Sequence, residues 1–142
     1  MIKISKITDY AIVILSLLAK KHQQSIEGTI HPGDLLSATE ISHQTNITMP
    51  MVAKILKILT RNKLLNSVRG VHGGYQLLIN PNQISVTQII EIFEGPMAIM
   101  ECNINQHKCS IFKQCNINSH FNKINQIIYN TLNKFTLNQL SS

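Results

Sequence analysis

Residues 37–79 read SATEISHQTNITMPMVAKILKILTRNKLLNSVRGVHGGYQLLI, two short helices, a turn between them and a hairpin behind. Ser37-Ala38-Thr39-Glu40 has capping-box spacing: the serine accepts from a first-turn N–H and the glutamate reaches back to the cap N–H. The helix so opened runs to about Gln44. Thr45-Asn46-Ile47 makes a turn. Thr48 is then placed as an N-cap, with Pro50 tolerated in the first turn of a second helix. Two short helices across a three-residue turn form the helix-turn-helix pattern. On the second helix Val52, Ile55, Leu56 and Leu59 share one face, and Lys54, Lys57 and Arg61 the opposite one. Leu64 and Leu65 are read as its close. Ser67-Val68-Arg69 and Tyr75-Gln76-Leu77-Leu78-Ile79 have strand character and flank Gly70-Val71-His72-Gly73-Gly74. That is a β-hairpin with Arg69 at its base and a glycine-rich tip. The tip opens no helix and lacks the Lys-Ser/Thr ending of a P-loop, which argues against a nucleotide site.

Outward from this stretch, residues 3–22 form a first helix that is apolar nearly all round, so it must be buried on several sides. His22 to Asp34 is a polar loop. Asn80-Pro81-Asn82 is a turn. Ser85-Val86-Thr87-Gln88 is a second capping box, opening a helix through Phe93 that Gly95 and Pro96 end. A last helix, about 117–136, carries a seam of Ile117, Phe121, Ile124, Ile128 and Phe135, with Leu132 adjacent. Such a seam suits packing on a symmetry mate; the alternative is packing on its own head. The expected fold is mostly α with a small β wing. A winged helix-turn-helix head occupies 1–95, a cysteine loop 96–116, and a long C-terminal dimerisation helix with its tail 117–142.

The chain of 142 residues carries a net charge of +6, and its pI near 9.4 suits an anionic partner. From Met49 to Tyr75 there are five Lys or Arg and no acid. A basic helix face alone is most often merely solvated. Followed by a basic hairpin, it is suited to phosphates at a major groove, with the hairpin arginine reaching a minor groove. The apolar run from Ala11 to Ala19, broken by Ser16, is too short to span a bilayer, and no signal peptide is evident. The expectation is a cytoplasmic protein that does not enter membranes.

All three cysteines lie between Glu101 and Cys115, spaced Cys-x6-Cys-x5-Cys. An odd, clustered set is not a disulfide framework and reads first as metal-binding or redox-active. The spacing lacks the Cys-x2-Cys knuckle of most structural zinc sites. Three thiolates can wrap an iron–sulfur cluster, and a harder fourth ligand makes such a cluster more responsive. His107, His120, Glu101 and Asp9 are the candidates for that place. Zinc is the rival metal. No third orienting group or pocket supports a Cys–His catalytic pair, so no enzyme activity is expected.

The chain resembles the IscR and NsrR family of bacterial winged-helix regulators. The matching residues are Thr8-Asp9-Tyr10-Ala11, Ala38-Thr39-Glu40-Ile41, Ser67-Val68-Arg69-Gly70 and Gly73-Gly74-Tyr75-Gln76-Leu77. Residues 86–95 and the three cysteines complete the match. Leu56-Lys57-Ile58-Leu59, Glu94-Gly95-Pro96, Ile124-Asn125 and Thr136-Leu137 resemble the branch that regulates SUF iron–sulfur assembly. The resemblance implies a homodimer on palindromic double-stranded DNA, repressing iron–sulfur assembly genes. It also implies a 2Fe-2S or 4Fe-4S cluster on Cys102, Cys109 and Cys115. Asp9 matches a cluster-ligating aspartate of a nitric-oxide-sensing relative and ranks ahead of His107 as fourth ligand. The candidate DNA-binding residues are Thr39, Thr48, Met51, Lys54, Lys57, Arg61, Ser67, Arg69, His72 and Tyr75. Three departures stand out: the first cysteine gap has six residues where several relatives have five, Asn118 stands where some relatives have a histidine, and Ala53 where one relative has a glutamate that helps discriminate operator classes. The alternatives are a zinc- or nitric-oxide-responsive regulator, and a DNA-binding module with a purely structural metal.

Overall fold

A computed structural model describes residues 3–24, 35–105 and 109–142. Helix α1 (Lys6–Gln24) runs through the centre of the head and packs against the helix-turn-helix, the wing and the elements that follow. It starts three residues later than the sequence suggests. Ser5 precedes it, and the backbone of Asp9 bonds back to the Ser5 carbonyl at 3.1 Å. Ala11, Ile14, Leu15, Leu18 and Ala19 are buried on its inward face, whereas Val13 is 43% exposed. The polar loop expected over 22–34 falls mostly outside the described residues.

Helices α2 (Ala38–Thr45) and α3 (Met49–Arg61) form the helix-turn-helix. The capping box at Ser37 forms in both directions: Ser37 N donates to Glu40 at 2.7 Å, and Glu40 N donates to Ser37 Oγ at 3.2 Å. The turn is made by Asn46 in the left-handed region, which an asparagine tolerates better than most residues. Thr45 Oγ1 donates to the Ile41 carbonyl and Ser42 Oγ to the Ile47 carbonyl, which fix the turn from inside.

Leu64 and Leu65 do not close α3, contrary to the sequence reading. The helix ends at Arg61 in a Schellman motif: Lys63 is left-handed, its N–H reaches the Thr60 carbonyl, and the Leu64 N–H reaches that of Leu59, each at 3.0 Å. The apolar pair then turns inward, Leu64 fully buried and Leu65 opening the wing. Strands β1 (Leu65–Val68) and β2 (Gly74–Leu77) pair antiparallel, with Leu65 opposite Leu77 and Val68 opposite Gly74. Arg69 therefore lies just beyond the strand, on the tip side, rather than within it.

A third backbone lies against the wing. Leu36 and Tyr75 exchange both main-chain hydrogen bonds, at 2.8 and 3.1 Å. Gly74 is needed for this approach, since a Cβ there would stand 2.7 Å from the Leu36 carbonyl.

A 3-10 turn (Pro81–Gln83) leads to α4 (Val86–Glu94), where Ser85 Oγ accepts from Gln88 N–H and Gly95 at φ +82° ends the helix. A single turn, α5 (Glu101–Ile104), and a 3-10 turn (Phe112–Gln114) follow. The terminal helix is two helices, α6 (Asn118–Asn133) and α7 (Leu137–Ser141), not one over 117–136. At the break Leu137 N–H bonds to the Ile84 carbonyl at 2.8 Å and Val86 N–H to the Phe135 carbonyl at 2.9 Å. These bonds turn α7 back under α1, where Leu137 is fully buried in the head's core. None of the residues of α6 is buried.

Candidate nucleic-acid interface and cysteine site

Helix α3 separates its faces cleanly. Val52, Ile55, Leu56 and Leu59 are buried, and Lys54, Lys57 and Arg61 are exposed on the other side. Thr48 stands at the cap, exposed, and makes no side-chain cap bond. Thr39 is exposed in the first turn of α2. Met51 and Tyr75 are half-buried and packed on the core, so they support the surface more than they project from it. Ser67, Arg69 and His72 are exposed along the wing, and Val71 at its tip is 98% exposed. Met49, 42% exposed beside Thr48, is a surface apolar group at the helix start that sequence reasoning passed over.

The three cysteines are free thiols of intermediate exposure. Cys102 sits in α5, and Cys102 and Cys109 line one pocket of about 340 Å³ together with Met100, Glu101 and Ser110. Cys115 ends the following 3-10 turn and is not part of that lining. Among the described residues no three His, Cys, Asp or Glu side chains converge as a ligand set. His107 lies outside the described residues. Asp9 is exposed in the first turn of α1, and His120 is exposed on α6. The donor chemistry, soft thiols with a carboxylate beside them, fits an iron–sulfur cluster. Two of those thiols already share a pocket.

Two hydrogen-bonded clamps flank this segment. At its start, Glu94 Oε1 accepts from Ser5 N at 2.9 Å, from Ser5 Oγ at 2.5 Å and from Thr8 Oγ1. The Ser5 hydroxyl, then the Thr8 hydroxyl and the Ser5 amide, hold the Glu94 carboxyl below its ordinary value of 4.5. The second clamp lies on α6. Asn125 Oδ1 accepts from Ile99 N–H at 3.1 Å, and Asn125 Nδ2 donates to the Met97 carbonyl at 3.4 Å. Asn103 Nδ2 donates to Asn122 Oδ1, and Asn122 Nδ2 in turn to Asn118 Oδ1 at 2.8 Å. At the other end of α6, Thr87 Oγ1 donates to Asn133 Oδ1 at 2.6 Å. Asn118, Asn122, Asn125 and Asn133 fall on one side of the helix, within about 80° at 100° per residue. Their spacing of four, three and eight was in the sequence. Asparagine carries no apolar signal, so hydrophobic periodicity does not mark it.

Comparison with known proteins agrees with this geometry. Residues 4–142 match the family model described as Rrf2, an iron-dependent transcriptional regulator. A putative HTH-type transcriptional regulator of Aquifex aeolicus is 30% identical over 103 residues, spanning 72% of this chain and 65% of that relative's length. The HTH-type transcriptional regulator NsrR of Bacillus subtilis is 25% identical over 139 residues, covering 97% of this chain and 89% of that one. The structure of CymR, described as the global cysteine regulator of B. subtilis, superposes with a TM-score of 0.71 at 26% identity. It covers 99% of this chain and 97% of that one.

Proposed function

Given that this chain belongs to the Rrf2 family of DNA-binding transcriptional regulators, not to an enzyme family, we propose that it is a homodimeric, cytoplasmic repressor of iron–sulfur assembly genes. In this reading it reports iron–sulfur or redox status through a cluster on Cys102, Cys109 and Cys115, with Asp9 or His107 as the fourth ligand. The observation that carries it is that every thiol of the chain lies between the head and α6, with Cys102 and Cys109 on one pocket. The alignment with NsrR over nearly the whole chain, and the SUF-branch motifs of the sequence, support the same reading.

DNA recognition is the work of the chain's own surface. The amino end of α3 enters a major groove, Lys54, Lys57 and Arg61 meet phosphates, and Arg69 on the wing reaches the adjacent minor groove. A palindromic operator then requires two heads at a fixed spacing. That spacing is set by the exposed α6 seam, where Ile117 is 54% and Ile124 42% exposed in the single chain. Bound, a cluster supplies a redox-sensitive cross-link among thiolates. The residues that register it are those joining the loop to the head and to α6, a two-state element biased by a ligand.

Anaerobically purified protein tests the assignment. It should be brown and contain iron and sulfide, and Cys109→Ala should lose both while remaining a folded dimer. A colourless protein with stoichiometric zinc would replace the cluster by a zinc site. A second reading, thiol regulation without metal, draws on the three partly exposed thiols and on the likeness to CymR, described as a global cysteine regulator. It expects a metal-free protein whose operator affinity changes on reversible thiol oxidation.

A further inference from the structure

We propose that Asn122 and Asn125 are positioning residues for the cysteine site: they strap residues 97–103 to α6 and so fix where Cys102 stands. The inference rests on the reading of this loop as the sensing segment. Met97, Ala98 and Met100 of the strap are only partly buried. Its residues 97–99 form one wall of an open, mostly apolar pocket of about 480 Å³, opposite Ile90, Ile128 and Leu132. A segment bordering open space makes fewer packing contacts, so directional hydrogen bonds bear more on its course.

The bonds are matched to that task. Asn125 satisfies both a donor and an acceptor of the strap backbone, Ile99 N–H and the Met97 carbonyl, with the two ends of its side-chain amide. Asn122 receives Asn103 Nδ2, the side chain next to Cys102, and is itself oriented by Asn118 one turn earlier. The three asparagines share one side of α6, while the seam Ile117, Phe121, Ile124 and Ile128 occupies the neighbouring side. One helix thus holds the thiol segment on one flank and offers the dimer surface on the next. Displacement of Cys102 must either break the strap or move α6.

Metal-free protein provides the test. Trypsin separates the thiols, since Lys108 and Lys113 lie between them, so the alkylation of each can be followed by mass spectrometry. Asn125→Leu should speed Ile99 amide exchange about fivefold to tenfold, as expected for one lost hydrogen bond. Cys102 alkylation by iodoacetamide should rise several-fold in Asn125→Leu and in Asn122→Leu, with Cys115 unchanged. Asn125→Asp keeps the acceptor and should retain Ile99 protection. An Ile99 amide exchanging at the unstructured rate in the wild type, or Cys102 alkylation unmoved by both leucine variants, overturns the proposal. Neither readout needs a cluster. A colourless, metal-free protein that shows both effects keeps the strap and loses only the cluster, whereas a brown protein that shows neither keeps the cluster and loses the strap.

Discussion

Lys57 and Arg69 carry equal charge, yet the structure gives them different chemistry. Lys57 is an exposed point charge on a rigid helix face, suited to a phosphate. Arg69 stands beyond the last paired residue of β1, on the tip side of the wing, where a planar guanidinium can enter a narrow groove. Lys57→Ala should therefore weaken binding across all sequences and flatten the plot of log affinity against log salt by about one unit of slope. If Arg69 reaches the minor groove as proposed, Arg69→Ala should also relax preference at one position of the operator. Anisotropy titrations over a salt series, on operator and scrambled duplexes, separate the two. Identical effects of both substitutions on the two duplexes would remove the wing from recognition. The glycines that make the wing differ in role as well: Gly70, at φ +118°, has open space around it, whereas Gly74 has none to spare against Leu36.

At the scale of elements, the short α7 does more for the head than its length suggests. Leu137 is fully buried among the side chains of the core. Leu137→Ala should cost about 2–5 kcal/mol, as large-to-small changes in a packed core do. Urea unfolding checks this, and a loss under 1 kcal/mol would show the tail to be peripheral. The helix-turn-helix and wing were legible because their signals are local: a capping box at Ser37, a turn at Asn46, glycines at 70, 73 and 74. The break after α6 was missed although its signal was present. Thr136-Leu137-Asn138-Gln139 has the same cap spacing as Ser37 to Glu40, and Thr136 N–H does donate to Gln139 Oε1 at 2.9 Å. The apolar seam running on to Phe135 hid it. The end of α3 was hidden in a related way, since nothing local marks Lys63 for the left-handed backbone that the Schellman motif requires. The cysteine spacing advertised soft-ligand chemistry. Which side chains hold the loop was not legible, since the Asn125 and Ile99 pairing spans 26 positions and follows from the tertiary path alone.

For the whole molecule, the Glu94 clamp joins the start of the first helix to the exit of the head, 89 positions apart. Because the folded carboxyl is held below 4.5, its stabilisation is complete above that value and disappears as the pH falls through the lower folded pKa. Glu94→Gln should thus be less stable than wild type near neutrality, and the gap should close below about pH 4.5. Urea midpoints from pH 3 to 7 report it, and a gap independent of pH would mean that the charge is not what the hydroxyls hold.

The return of Leu137 to the core has a further consequence during synthesis. Residues 6–94 leave the ribosome before the side chain that completes their packing exists. A nascent or truncated head therefore lacks part of its core until the cysteine segment and α6 have also emerged. Products cut short before α7 would be left to the proteases that clear incompletely folded chains. Under the proposed function, this would clear fragments that keep the helix-turn-helix but lack the segment proposed to sense.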